Sequence, residues 1–130
     1  MKLLLDTQVF IWLINDDSRL GVKSKKLALS TSNEVFISFM SFFEMTIKAS
    51  LGKLKFNPTV MSDLENMGIV LLPGDQSSLQ RYKIFSSENR DPFDNFLAAT
   101  AIENNLILLT SDEKILVIEC QGLKTLDARD

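Results

Sequence analysis

Four acidic residues along this chain stand where strands end or helices begin, and together they could bind a divalent metal ion. Asp6 follows an apolar run at residues 3–5, and Asp112 follows another at residues 106–109. Glu44 and Asp94 stand near the starts of two helical segments. In an open α/β sheet, ligands bind in the crevice at the carboxyl ends of the strands. Carboxylates gathered there without cationic partners favour a hard cation such as Mg²⁺ or Mn²⁺.

The amino-acid composition narrows the chemistry further. The chain has no histidine and one cysteine, Cys120. Ser-His-Asp catalysis, Cys-His catalysis and His-ligated zinc are therefore excluded. An internal disulfide is excluded as well, and a reducing compartment, the cytoplasm, is expected. Hydrolytic chemistry in this chain must depend on carboxylates, hydroxyls, lysines or metal ions.

Two of the acids have plausible structural roles near the ends of predicted strands. Asp6 could cap the following helix, although Thr7 could do so equally well. Asp112 could be a turn or cap residue in the segment Thr110-Ser111-Asp112. Thr7, Thr110 and Ser111 could also orient a phosphate or a metal-bound water. Neither local role explains why both acids should follow buried strands.

The other two acids belong to helix-start patterns. Ser41 and Glu44 have the spacing of a capping box, in which Glu44 would occupy the third helical position. Asp91 is a good N-cap for a helix that begins at Pro92, which also places Asp94 at the third position. Asp94 heads a face of small apolar residues, and a buried carboxylate is unfavourable unless it is paired or binds a cation. We therefore interpret Asp94 as functional and Asp91 as its cap.

The bulk properties predict one globular domain spanning residues 1–130. Its length suffices for a core, and the 45% apolar and 24% charged residues are typical of soluble chains. No apolar stretch approaches a membrane span, and Asp6 interrupts the first apolar run too early for a secretory signal. The net charge of −3 neither supports nor excludes a nucleic-acid substrate, because metal ions would neutralise the four acids.

Apolar patterning predicts strands and helices in alternation. Strands are expected at residues 2–6, 34–38, 69–72, 106–110 and 123–126. Helices are expected at residues 7–15, 18–29, 41–51, 58–66, 76–85 and 92–105. Within the third helix, Phe43, Ile47 and Leu51 share one face and are predicted to pack in the core, and Gly52 should end the helix. Residues 115–118 fit either a helix or a strand. Alternating elements imply right-handed crossovers and a parallel sheet whose first and fourth strands are neighbours.

Four ordered motifs resemble the PIN domain, and more narrowly the VapC toxins of bacterial type II toxin–antitoxin modules. They are Leu4-Leu5-Asp6-Thr7, Glu44-Met45-Thr46-Ile47-Lys48 with Leu51-Gly52-Lys53-Leu54, Asp91-Pro92-Phe93-Asp94 with Leu97-Ala98-Ala99, and Leu109-Thr110-Ser111-Asp112. The resemblance implies a three-layer α/β/α fold with a five-stranded parallel sheet. It also implies a Mg²⁺- or Mn²⁺-dependent endoribonuclease, homodimeric and inhibited by a cognate antitoxin. The family's acidic quartet falls on Asp6, Glu44, Asp94 and Asp112, as catalytic residues and metal ligands.

The chain departs from the family pattern at three positions. Many relatives have histidine where this chain has Gln8 and Asn89, and arginine where it has Asn95. None of these positions is a proposed metal ligand, so the departures affect only how RNA would be held. Two alternatives remain: a non-catalytic binding module with the same fold, and an aspartate-based phosphotransfer domain. The sequence does not identify the RNA, the antitoxin or the number of metal ions.

Overall fold

The computed structural model describes residues 1–84, 91–118, 120 and 122–130. Its five strands are β1 (Lys2–Leu5), β2 (Glu34–Ser38), β3 (Ile69–Leu72), β4 (Ile107–Thr110) and β5 (Lys124–Asp127). Its α-helices are α1 (Thr7–Ile14), α2 (Val22–Leu29), α3 (Phe39–Ser50), α4 (Gln76–Arg81), α5 (Pro92–Glu103) and α6 (Glu113–Leu116). Among the described residues, no helix is both long enough and apolar enough to span a membrane.

The sheet is parallel throughout and has the order β3-β2-β1-β4-β5. β1 lies at the centre because three of its residues are leucines with no exposed surface, as a strand covered on both faces requires. The first and fourth strands are neighbours, with Leu5 opposite Leu109. The predicted order reversal is confirmed, and it brings the ends of β1 and β4 together.

Alternate residues of β1 enter two different cores. Leu3 and Leu5 pack in a large cluster that includes Phe10 of α1 and Met45 of α3. Leu4 faces the opposite side, where it packs in a cluster with Leu97 of α5. Because successive side chains of a strand point to opposite faces, these clusters lie on the two sides of the sheet. The predicted three-layer arrangement is confirmed.

The start of α3 differs from the sequence prediction. The helix begins at Phe39 rather than at Ser41, and the Ser38 side chain accepts a hydrogen bond from the Met40 amide as its N-cap. The capping-box interpretation was therefore wrong: Glu44 lies in the second turn. β2 passes directly into the helix without a loop, so composition gave no sign of where the strand ended.

Other boundaries changed where short turns replace longer predicted helices. The helix predicted at residues 58–66 is a 3-10 turn, Pro58–Met61, followed by further turns. The helix predicted from Ser18 begins only at Val22. The helix predicted at residues 76–85 is α4 followed by a 3-10 turn, Tyr82–Ile84, and Phe85 lies outside the described residues. Of the ambiguous run at residues 115–118, only Ile115 and Leu116 belong to a helix, α6, which ends at Leu116.

The predicted core face of α3 proved to be exposed. Phe43, Ile47 and Leu51 are 49%, 36% and 64% exposed, and Phe39, one turn earlier, is 47% exposed. The helix instead buries Phe42 and Met45, among others. Four-residue spacing correctly placed these apolar side chains on one face, but the sheet covers a different face. Gly52, with φ of 73°, ends the helix as predicted.

Candidate metal centre

Asp6 lies at the end of the central strand and points into the protein. Its backbone amide continues the β1–β4 pairing by donating to the Leu109 carbonyl at 3.0 Å. Its side chain makes no helix-capping hydrogen bond, so the capping alternative was wrong. Its Oδ2 atom instead accepts a hydrogen bond from the Thr110 hydroxyl at 2.7 Å. The carboxylate is buried and tied to the neighbouring strand.

Asp112 lies two residues beyond β4 and has a structural role as well. Its Oδ1 atom accepts a hydrogen bond from the Lys114 amide at 2.8 Å, which caps α6. Its own amide donates to the Thr110 hydroxyl oxygen at 3.1 Å. The Thr110 hydroxyl therefore connects the side chain of Asp6 with the backbone of Asp112.

Asp94 occupies the third position of α5, as predicted. The Asp91 side chain caps this helix by accepting hydrogen bonds from the amides of Phe93 at 2.9 Å and Asp94 at 3.1 Å. The Asp94 carboxylate is buried above Leu97 and Ala98, which are also buried. Asp91 holds the helix start, and Asp94 is the acid that this start presents.

Glu44 projects from the second turn of α3 and is also buried. Its Oε2 atom lies 3.0 Å from Nζ of Lys48, one turn further along the helix. Its Oε1 atom is buried, and among the described residues nothing donates a hydrogen bond to it. A buried carboxylate oxygen without a donor is unfavourable, and a cation would satisfy it.

The four acids line one cavity of about 250 Å³. The remaining lining residues are Thr7, Gln8, Lys48, Asp91 and Ser111. The structure thus brings the acids of four separate elements to the carboxyl edge of the sheet. A larger hollow of about 520 Å³ contains none of these acids, and its one carboxylate, Asp75, caps α4 by accepting from the Ser78 amide. The smaller cavity is therefore the better candidate for metal chemistry.

Burial raises the pKa of Asp6 to about 6. The hydrogen bonds from Thr110 and from the Thr7 amide favour the ionised form and limit the increase, whereas the negative charges of Glu44 and Asp112 add to it. The pKa is thus raised mainly because the charged carboxylate is removed from water.

The pKa of Asp94 is raised to about 8, again mainly by burial. The negative charges of Asp6, Asp91 and Asp112 and a hydrogen bond with Asp112 raise it further. Repulsion between nearby carboxylates makes it unfavourable for all of them to be ionised at once, and a bound cation offsets this repulsion. These mutual effects show that acids distant in sequence act on one another.

The donor set fits a divalent ion, although the side chains are not yet arranged around a common point. Within the described part of the chain, no three aspartate, glutamate or cysteine side chains are positioned to hold a metal ion. The four acids nevertheless supply only hard oxygen ligands, with an unsatisfied oxygen on Glu44 and mutual repulsion at Asp94. Mg²⁺ and Mn²⁺ suit such a set of oxygen ligands.

The sequence predicted the four acids but not the contacts of the hydroxyl groups around them. Thr110 binds Asp6, whereas the Thr7 hydroxyl donates to Ser41 Oγ at 2.9 Å and joins α1 to α3. Among the positions that depart from the family pattern, Gln8 lines the cavity and Asn95 is buried. Asn89 lies outside the described residues. Only the Thr-x-Asp spacing at residues 110–112 hinted that one hydroxyl could bridge two acids.

The family assignment follows from comparison with known sequences. The sequence pattern of the PIN domain matches residues 3–119, which include all four acids. The chain belongs to the PIN domain family. No curated protein sequence matches it.

Solved structures share the PIN fold over the whole chain. A chain of VapBC2 from Rickettsia felis, bound to a DNA fragment from its promoter, aligns with a TM-score of 0.69 at 20% identity, covering 98% of each chain. VapBC-1 from nontypeable Haemophilus influenzae aligns with a TM-score of 0.68 at 18% identity over 100% of each. VapBC-5 from Mycobacterium tuberculosis, a member of the VapBC family of toxin–antitoxin systems, gives 0.62 at 15% identity, covering 97% of this chain and 98% of that one. At these identities the similarity establishes the fold.

Proposed function

We propose that this PIN domain is a Mg²⁺- or Mn²⁺-dependent endoribonuclease and the toxin of a toxin–antitoxin pair. The observation that carries the proposal is the convergence of Asp6, Glu44, Asp94 and Asp112 on one cavity at the carboxyl edge of the sheet. Membership of the PIN domain family and a fold shared with chains of VapBC complexes support the nuclease and toxin assignments. The proposed substrate, RNA, rests on the resemblance to the VapC toxins.

The four acids would hold the metal, each positioned by its own element. Bound divalent ions would supply an activated water and a positive charge for the leaving oxygen of the phosphodiester. Thr110 donates a hydrogen bond to one oxygen of Asp6 and so orients the carboxylate that lines the cavity. The Asp91 cap fixes the start of α5 and hence the direction of Asp94. Burial keeps bulk water away from Asp6 and Asp94, which strengthens their interaction with a cation.

The proposed partners are a cognate antitoxin and a second copy of the chain, both in the cytoplasm. Phe39, Phe43, Ile47 and Leu51 form an exposed apolar stripe on α3, and such a patch is typical of protein interfaces. Co-expression with the product of the adjacent reading frame, followed by co-purification, tests the antitoxin. Sedimentation of the purified chain tests the dimer.

RNA cleavage by purified protein is the direct test of the enzymatic proposal. We expect a single-stranded RNA to be cleaved with Mg²⁺ or Mn²⁺ and to stay intact in EDTA. Asp6→Ala and Asp94→Ala should each abolish cleavage. Asp63→Ala removes an exposed acid outside the cavity and should leave cleavage unchanged. Equal cleavage by wild type and both cavity variants, with EDTA present, would contradict the proposal. Failure to bind any divalent ion would instead favour a non-catalytic module.

A further inference from the structure

Lys48 is the one cationic side chain among the described residues that line the acid cavity. Its Nζ atom lies 3.0 Å from Glu44 Oε2, and its side chain is 43% exposed. Five carboxylates line the same cavity, because Asp91 joins the four proposed ligands. Lys48 thus places a positive charge at the boundary between the cavity and solvent.

A simple helix-stabilising role for Lys48 accounts for only part of this arrangement. An exposed Glu–Lys pair at i, i+4 contributes only weakly to the stability of a helix. Here the glutamate is buried, and its second oxygen has no donor among the described residues. The lysine therefore neutralises a carboxylate that belongs to the proposed metal site, and it does so from a side chain that reaches solvent.

We propose that Lys48 binds a phosphate oxygen of the RNA backbone at the acid cavity. The inference rests on the proposed nuclease function and adds a substrate-binding residue to it. Divalent charge held by Glu44 would repel an ammonium group 3.0 Å away. Because the lysine stem has four rotatable carbons and is half exposed, the ammonium group can turn outward while remaining at the cavity mouth.

The charge balance of the cavity supports a phosphate as the partner of the displaced ammonium group. An RNA backbone that approaches five carboxylates is repelled unless cations lie between them. An ammonium group is a compact three-donor charge that suits a single phosphate oxygen. Lys48 would thus change partner, from Glu44 in the metal-free protein to the substrate in the loaded one.

Salt-dependent RNA binding tests this contact without requiring cleavage. The anisotropy of a labelled single-stranded RNA is titrated with protein at several KCl concentrations, with Ca²⁺ replacing Mg²⁺. Losing one phosphate contact on single-stranded RNA should reduce the slope of log K against log salt by about 0.7. We expect this reduction, with severalfold weaker binding, in Lys48→Met, and wild-type behaviour in Lys48→Arg.

Lys53→Met is the matched control, because Lys53 is an exposed lysine just beyond α3 that does not line the cavity. For Lys53→Met, the slope of log K against log salt should equal that of the wild type. An unchanged slope in Lys48→Met, or equal losses in both methionine variants, would overturn the proposal.

Calorimetric titration with Mn²⁺ in the absence of RNA separates this role from an effect through Glu44. Lys48→Met should bind Mn²⁺ at least as tightly as the wild type, because a competing cation has been removed. Weaker Mn²⁺ binding would mean that Lys48 orients Glu44, and it would contradict the inference. If the nuclease proposal itself is wrong, even the wild type will leave RNA intact with Mg²⁺. The salt dependence of RNA binding will still show whether Lys48 contacts a phosphate.

Discussion

The four acids of the cavity form two pairs that the fold treats differently. Glu44 and Asp112 each have a local partner, the Lys48 ammonium group and the Lys114 amide. Asp6 and Asp94 have pKa values that are raised mainly by burial, although Asp6 also accepts a hydrogen bond from Thr110. Asp112 and one oxygen of Glu44 thus make ordinary helix interactions, whereas Asp6 and Asp94 are unfavourable in their ionised forms.

The difference between the two pairs shows which acids are evidence of a functional site. A capping aspartate or an i, i+4 ion pair stabilises a helix and is not by itself a sign of function. A buried carboxylate surrounded by other carboxylates destabilises the fold, and such strain is typical of functional sites. Asp6 and Asp94 are therefore the stronger evidence for a bound cation.

The largest effect is expected from Asp94→Asn. The variant should lose Mg²⁺-dependent RNA cleavage by about 10³-fold, since a ligand that binds the metal contributes several kcal/mol to the transition state. The metal-free variant should also melt about 3 °C higher than the wild type at pH 8.5, because a buried charge is gone. Initial rates and thermal melts in EDTA measure both effects.

Asp91→Asn is the control for that variant, because asparagine caps a helix as well as aspartate does. It should change neither the cleavage rate nor the melting temperature substantially. The distinction between the two pairs of acids would be lost if Asp94→Asn cleaved RNA at the wild-type rate. It would also be lost if the metal-free variant melted below the wild type at pH 8.5.

A second prediction concerns the hydroxyl that joins the two pairs. Thr110→Val removes the hydrogen bond to Asp6 and the acceptor for the Asp112 amide, so Mn²⁺ affinity should fall about 10–100-fold. Thr110→Ser should restore it. Thr100→Val removes an equally buried hydroxyl, which only donates to the Phe96 carbonyl, and should not alter Mn²⁺ binding. Equal affinity in both valine variants would show that Thr110 does not position the ligands.

The third prediction is a dependence of stability on pH in the metal-free protein. The folded pKa values of about 6 for Asp6 and about 8 for Asp94 exceed the ordinary value of 3.8. Between pH 4 and pH 8 the folded protein holds protons that the unfolded chain has released, so the free energy of unfolding falls as pH rises. Thermal melts in EDTA should decline by several degrees across this range, and Mn²⁺ should raise the melting temperature more at pH 8 than at pH 5.

The double variant Asp6→Asn/Asp94→Asn provides the comparison for the pH series. Its melting temperature should change little between pH 4 and pH 8 and should not respond to Mn²⁺. Three other aspartates have lowered pKa values: Asp17, Asp75 and Asp127. Their contributions to stability change below pH 4, outside this range. A wild-type melting temperature that rises from pH 5 to pH 8 in EDTA would contradict the raised pKa values.

The smallest effect is expected at Asp112. Asp112→Asn keeps the N-cap of α6, so thermal stability should match the wild type, while Mn²⁺ affinity should fall roughly tenfold. Asp112→Ala loses the cap too and should destabilise the fold by about 1 kcal/mol. Chemical denaturation and calorimetry separate these contributions. Identical Mn²⁺ affinity in wild type and Asp112→Asn would show that this acid serves only as a cap.

The positions of the acids in the fold were predictable because they depend on strong local patterns. Apolar runs located β1 and β4, and the topology of parallel sheets placed their ends side by side. The Asp91 cap and the depth of Asp94 followed from Pro92 and the small residues after it. Their convergence on one cavity agrees with the prediction, whereas metal binding by the four acids stays a prediction.

Features that depend on tertiary contacts were not predictable in the same way. The periodicity of α3 grouped Phe43, Ile47 and Leu51 but did not reveal that the sheet covers another face of the helix. Ser38 and Ser41 are both suitable caps, and only the end of β2 decides between them. The partner of Thr110 lies 104 residues away, so no local pattern could identify it.

The pairing of β1 with β4 also determines when the cavity can exist during synthesis. Asp6 is translated more than 100 residues before its neighbouring strand β4 and before Asp112. Such distant contacts cannot form until the intervening chain has been made. A nascent chain therefore carries separate, solvated acids, and any activity that needs all four cannot begin before Asp112 has been translated.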